Sequence, residues 1–412
     1  MESVILYIII AIVIFDFAFE RLLAYLNYTK LSNKLPKELQ GIYDEEKYRK
    51  SQDYLRVNMK FGLITSTLSF IAILLMLYFE GFGWLDNTVR QYADNTILIT
   101  ILFFGILGLA SDLLSTPFDI YDTFVIEEKF GFNKTTYKTY ILDKIKGWLL
   151  AIVLGGGLLA IFVWFYQVAG SLFWLYAWLF FSGFSIFMTM FYSTLIVPIF
   201  NKQKPLEEGE LRNAIEDFAK KANFKLDNIF VIDGSKRSTK ANAYFSGLGP
   251  KKRIVLFDTL IKDHTTEELV AVLAHEIGHY KKNHTLKSMA VSLVSSAIIF
   301  YLLGVFINYD VLSKALGGQE ASFHLGILAF GLLYSPVSMV LGIVGNILSR
   351  KHEYQADAFA AVNYDAKPLQ EALKKLSVNN LSNLRPHPLV VFVNYSHPPL
   401  LKRLSFLDKF RK

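Results

Sequence analysis

The stretch SLFWLYAWLFFSGFSIFMTMFYSTLIVPIF, from Ser171 to Phe200, carries no charged side chain over its whole length. A helix needs about 20 apolar residues to cross the hydrocarbon of a bilayer, whereas a surface helix of a water-soluble protein shows charges on one face. The stretch therefore reads as a membrane span. The rest of the chain agrees: of 412 residues, 53% are hydrophobic and only 19% are charged, too few charges to cover a soluble surface of that size. Further apolar runs lie at 3–20, 61–80, 96–117, 148–167, 288–307 and 323–348, which with 171–199 makes seven. The first run has no basic segment ahead of it and no small-residue cleavage site behind it, so it is expected to be retained. The expected fold is mainly α and polytopic, with seven transmembrane helices.

The connecting segments predict orientation. Segments 21–60 and 118–147 carry nine and five Lys or Arg, whereas 81–95, 168–170 and 308–322 carry one, none and one. Basic segments collect on the cytosolic side, which places the N-terminus outside and the C-terminus in the cytosol. A bacterial inner membrane and a eukaryotic endoplasmic reticulum both satisfy this pattern. The net charge of +7 follows from the topology, and no basic stripe interleaved with aromatics points to nucleic acid. The chain has no Cys, which excludes disulfides, thiolate nucleophiles and thiolate metal sites; every metal ligand must be N or O.

Chemistry concentrates in His275-Glu276-Ile277-Gly278-His279. Two imidazoles four apart on a helix face the same way and can share one Zn²⁺, and Glu276 stands where a general base is needed. The helix has a recognisable start, because Thr265 and Glu268 form a capping-box pattern. Gly278 costs helix stability and suggests that a metal or a neighbouring backbone comes close. For the third ligand, Glu353 and Asp357 share a helix face: Glu353 can bind the metal while Asp357 accepts the second N–H of a ligand His. His352 is the rival, but it points about 100° away from Glu353.

The expected organisation is a membrane region at 1–199, a cytosolic metalloprotease insertion at 200–287, two more spans at 288–348 and a cytosolic part at 349–412 with the third ligand. Within the insertion, Pro205 is expected to open an amphipathic helix through Asn223. Segments 228–233, 242–245 and 253–257, rich in β-formers, predict a small antiparallel sheet able to take an extended peptide as an added strand.

Several motifs together resemble the integral-membrane, zinc-dependent CAAX prenyl endopeptidases of type I. They are TFVIEEKFGFN at 123–133, IVPIFN at 196–201 with Pro205-Leu206, ANAYF at 241–245, the HEIGH helix, the Glu353/Asp357 helix and NYSHPP at 394–399. The resemblance implies one zinc ion held by His275, His279 and Glu353, with Glu276 as general base and Asp357 behind the ligands. It further implies that Asn242 lies beside the substrate backbone and that His397 stabilises the oxyanion; Arg403 is placed with the same site. It implies seven helices around an intramembrane chamber, and a prenylated CAAX protein or peptide, met in membrane lipid, as substrate. Two alternatives stand beside this reading. One is a quality-control membrane metalloprotease without a prenyl requirement. The other is a non-catalytic metal-binding scaffold or transporter, whose signature would be inverted repeats of broken spans or loss of Glu276.

Overall fold

The computed structural model describes residues 1–224, 229–248 and 253–411. Among these described residues, six helical stretches are long and apolar enough to cross a membrane: Glu2–Tyr28, Glu45–Tyr78, Thr96–Phe130, Tyr137–Phe200, His284–Phe306 and Phe323–Asn363. The count by length and composition is thus six, against the seven expected. The difference lies in Tyr137–Phe200, where the sequence reading separates 148–167 from 171–199. Only a one-turn 3₁₀ segment, Gly170–Leu172, interrupts the helix there, with Gly170 at φ 53°. Across it Phe162 meets Phe180, Phe165 meets Tyr176 and Tyr166 meets Phe173, with ring centroids 5.7–6.0 Å apart. Partners that move apart in sequence on either side of Gly170 make the two arms an antiparallel pair.

The connections sort to two ends of the bundle. At one end Glu2 lies 3.9 Å from Lys314, and the N–H of Gly83 donates to the Leu316 carbonyl at 2.9 Å. At the other, Asn27 accepts from the His387 N–H at 3.1 Å. There too Glu127 joins Tyr54 to Lys240, whose Nζ is 2.7 Å from the carboxylate. The basic segments share the second end with the hydrophilic insertion.

Among the described residues that insertion holds four strands: β1 (Gln203–Pro205), β2 (Ile229–Ile232), β3 (Ala243–Ser246) and β4 (Arg253–Phe257), in the order β1-β2-β4-β3. The sheet is mixed, not antiparallel. β1 and β3 run against their neighbours, but β2 and β4 are parallel. The reason is that β3 and β4 form a hairpin whose second strand, not its first, returns beside β2; alternation in sequence does not reveal which neighbours pair. Asn228, at the start of the expected strand, lies outside the described residues. Pro205 likewise does not open a helix. It ends β1, and the helix runs over Glu210–Lys221 after Gly209. Pro lacks an N–H and is tolerated at a sheet edge, which is where β1 sits.

Ile254 and Leu256 of β4, together with Ile215 and Phe218, pack on Leu269, Leu273 and Ile277 of the helix Thr266–Lys281. That helix begins as expected: the Thr265 hydroxyl accepts from the Glu268 N–H at 3.4 Å, and the Glu268 carboxylate accepts from the Thr265 N–H at 3.0 Å. Its other side lies on Phe323–Asn363. A Cβ on Gly278 would come within 3.1 Å of Ala356 Cα and of Phe359 Cβ, so the glycine admits a neighbouring backbone.

Candidate metal centre

Thr266–Lys281 and Phe323–Asn363 cross where Gly278 meets Ala356, and the side chains one turn from that contact converge. His275 Nε2 lies 3.1 Å from His279 Nε2, Glu353 Oε1 3.2 Å from His279 Nε2, and Glu353 Oε2 3.5 Å from His275 Nε2. For a tetrahedral ion bound at about 2.05 Å, ligand atoms stand roughly 3.3 Å apart. The triangle matches. One of its corners, Glu353 Oε2, is a buried carboxylate oxygen without a hydrogen-bond partner. Buried carboxylates are satisfied by donors or by metals, so this atom fits the same reading. Among the described residues, His275, His279 and Glu353 form the one group of three whose donor atoms could hold an ion.

The surroundings brace the triangle. Asp357 Oδ1 is 2.9 Å from His275 Nδ1, and the buried Arg403 forks Asp357 through Nε at 2.9 Å and Nη2 at 2.6 Å. A bidentate guanidinium fixes the carboxylate plane, which in turn fixes the imidazole. Burial opposes charge on His275, but Asp357 and Glu353 outweigh it and raise its pKa from 6.5 to about 9. Glu276 is half-buried in the same helix, and desolvation raises its carboxyl above the ordinary 4.5.

His397 arrives from the loop after Pro388–Asn394. Its Nε2 is 3.4 Å from Glu353 Oε1, while its side chain remains 63% exposed, open to a substrate. The loop is held by the helix that carries Glu353: Arg350 donates to the carbonyls of Val391 and Tyr395, and Asn346 donates to that of Val393 at 2.7 Å. Asn242 is not drawn into the triangle by its hydrogen bonds. It sits exposed at the start of the edge strand β3, and its Oδ1 accepts from the Ala243 N–H at 2.8 Å. It lines a cleft of about 490 Å³ with Lys240 and Asn380, whose amide exchanges hydrogen bonds with the backbone of Ala241. His352, the rival ligand, turns away and stacks on His284 with ring centroids 4.1 Å apart.

Two residues escaped sequence reasoning. Arg350 offered only a helix position three before Glu353, which does not reveal a loop 41 to 45 residues further on. His284 had a fainter signal, a fifth position after His279 beyond an Asn that can turn the chain.

Such a centre on a polytopic helical scaffold is the equipment of a membrane metallopeptidase. The comparisons with known proteins say which. Residues 24–202 match the family described as CAAX prenyl protease N-terminal, five membrane helices, and residues 205–411 match peptidase family M48. The chain belongs to peptidase family M48. It is 38% identical to CAAX prenyl protease 1 of Saccharomyces cerevisiae, over 95% of this chain and 93% of that one. It is 33% identical to the human CAAX prenyl protease 1 homolog, over 93% and 90% of the two chains. The crystal structure of S. mikatae Ste24p superposes with a TM-score of 0.93 at 36% identity, covering 98% of this chain and 99% of that one. The protein is thus an integral, multi-pass membrane metallopeptidase, and its family implies a bound metal.

Proposed function

We propose that this protein is a zinc endopeptidase that hydrolyses peptide bonds near the C-terminus of prenylated CAAX proteins or peptides. The observation that carries the reading is the His275, His279 and Glu353 triangle, with Glu276 beside it, on a chain alike over nine-tenths of its length to proteins named CAAX prenyl protease 1. Two imidazoles and one carboxylate are a donor set that suits zinc in a catalytic site. When bound there, zinc supplies Lewis acidity towards a peptide carbonyl and makes water a nucleophile near neutral pH.

The chain's own groups do the rest. Glu276 takes the proton of the attacking water and returns it to the leaving amine, with no covalent acyl-enzyme. Its raised pKa suits that exchange, since a base must also be able to act as an acid. His397 stands exposed at the mouth and donates to the oxyanion as charge develops. Asp357, held by Arg403, keeps the proton of His275 on Nδ1 so that Nε2 faces the metal. The substrate lies extended along the outer edge of β3, where Asn242 meets its backbone, and its prenyl chain enters the space between the spans from membrane lipid. We divide the chain into a membrane region at 1–199, a metalloprotease insertion at 200–287, spans at 288–348 and a C-terminal part at 349–412. The N-terminus is outside and the C-terminus cytosolic, in an endoplasmic reticulum or bacterial inner membrane. No nucleic acid takes part.

The test is hydrolysis of a farnesylated CAAX peptide beside its unprenylated twin by purified, zinc-loaded protein, with Glu276→Gln as control. Farnesyl-dependent cleavage that vanishes in the variant is expected. Equal cleavage of both peptides would point to a quality-control protease, and cleavage of neither, with zinc bound, would leave a non-catalytic metal scaffold.

A further inference from the structure

The two ligand histidines are braced differently. His275 gives its Nδ1–H to a carboxylate, Asp357, at 2.9 Å. Among the described residues no carboxylate stands behind His279. Its Nδ1 faces Nδ1 of His284 at 3.0 Å, and Nε2 of His284 faces the side-chain oxygen of Gln355 at 2.8 Å. With Nε2 of His279 committed to the triangle, its proton must sit on Nδ1, so Nδ1 of His284 can only accept. The proton of His284 is then on Nε2, where Gln355 receives it. One tautomer of a neutral imidazole satisfies every atom in the chain of contacts.

From this we infer that His284 is a positioning residue for the metal ligand His279: a neutral second imidazole that orients the first through an Nδ1–H···Nδ1 hydrogen bond. The inference rests on the metal-site reading above and goes beyond it in assigning a role to a residue outside the HExxH motif. The local fold places His284 for this. The metal helix ends at Lys281, Asn283 takes the left-handed conformation at φ 55°, and His284 begins the next helix at once. Asn adopts that conformation more readily than most residues, and it returns the first side chain of the new helix beneath the last turn of the old one. His284 is buried, with a relative exposure of 3%. His352 stacks on it at an interplanar angle of 10°, so the ring is held both in its plane and along its edge.

The geometry also explains why Gln355 and His352 lie on the helix that carries Glu353. The two helices that form the triangle are thus tied to one another behind the ligands as well as through them, by way of His284 at the start of the next helix. A brace of this kind orients a ligand ring, and losing it typically costs 10–100-fold in metal affinity.

The experiment measures zinc affinity by chelator competition on the full-length protein in detergent, for wild type, His279→Ala, His284→Phe and His284→Asn. Phe keeps the stacking shape but cannot accept a hydrogen bond; Asn places Oδ1 where the imidazole has Nδ1 and can accept one. We expect His284→Phe to weaken zinc binding by about 10–100-fold and His284→Asn to stay within a few-fold of wild type. Melting curves of the zinc-free proteins separate folding from binding. Unchanged affinity in His284→Phe would overturn the inference, as would Asn losing as much as Phe, since packing alone would then account for His284. If His279→Ala binds zinc as well as wild type does, the metal-site reading itself fails, a result distinguishable from failure of the brace.

Discussion

At the scale of single residues, the centre is a balance of charge around His275. Two carboxylates face it, Glu353 and Asp357, and one guanidinium, Arg403, answers them. The metal-free imidazole consequently keeps a proton up to about pH 9, and a metal must displace it. Below pH 9 each rise of one pH unit lowers the activity of the competing proton tenfold, so apparent zinc affinity should rise about tenfold per pH unit between 7 and 9 and level off above. Chelator competition across that range checks it; a flat profile would refute the proton on His275. The same shift makes a second, linked prediction for the zinc-free protein. A His with a raised folded pKa contributes stability fully below pH 6.5 and loses it as pH rises through 9, so the zinc-free melting temperature should fall over that window. The roles proposed for Glu276 and for the ligand pair were legible in HEIGH because side chains four apart on a helix share a face whatever surrounds them. His284 was not legible, because its value depends on a turn at Asn283 and on two residues of a distant helix.

At the scale of elements, the site depends on how closely two helices approach. Gly278 faces Ala356 and Phe359, and the small Ala356 and Ala360 are fully buried along the same contact. Gly278→Ala places a methyl 3.1 Å from the Ala356 backbone, which cannot swing aside as a flexible side chain would. Overpacking of this kind costs about 1–3 kcal/mol, and the gain in helix propensity of roughly 1 kcal/mol offsets part of it. Stability should therefore change little, while the spacing between His279 and Glu353 widens. We expect zinc affinity and turnover to fall at least tenfold with the melting temperature within a few degrees of wild type, and unaltered affinity would show that the crossing has slack. The sheet teaches the complementary lesson. Three of its strands were visible as runs of β-formers, but β1 ends on a proline that sequence reasoning took for a helix start, and the parallel pairing of β2 with β4 is set by a chain return of some twenty residues.

At the scale of the whole molecule, the spans carry the catalytic part by fixing both ends of the long helix Phe323–Asn363. Its first turns pack with Phe82, Leu85 and Leu312 at one end of the bundle, and its last turns hold Glu353, Asp357 and the loop of His397 at the other. Which end faces the cytosol is testable in this chain because it contains no Cys. Gln91→Cys and Lys402→Cys each introduce a single exposed thiol, at opposite ends. On sealed, cytosol-side-out vesicles, a membrane-impermeant maleimide should label Lys402→Cys at once and Gln91→Cys only after detergent; the reverse pattern would invert the topology.

Local sequence was enough to specify the surrounding solvent and to point to metal chemistry. Uncharged runs of twenty residues cannot be hydrated away, the absence of Cys restricts ligands to N and O, and HEIGH in a capped helix presents two imidazoles on one face. Packing across the whole chain, by contrast, sets how the helical stretch 137–200 is interrupted, which strands pair, and that Asn242 sits on the sheet edge while His397 reaches Glu353. It also decided that Arg403 is the partner of Asp357, 46 residues away. The physical reason is range. Helix face and span length are local properties written in neighbouring residues, whereas hydrogen bonds between distant segments depend on where the packing of the whole chain brings their ends.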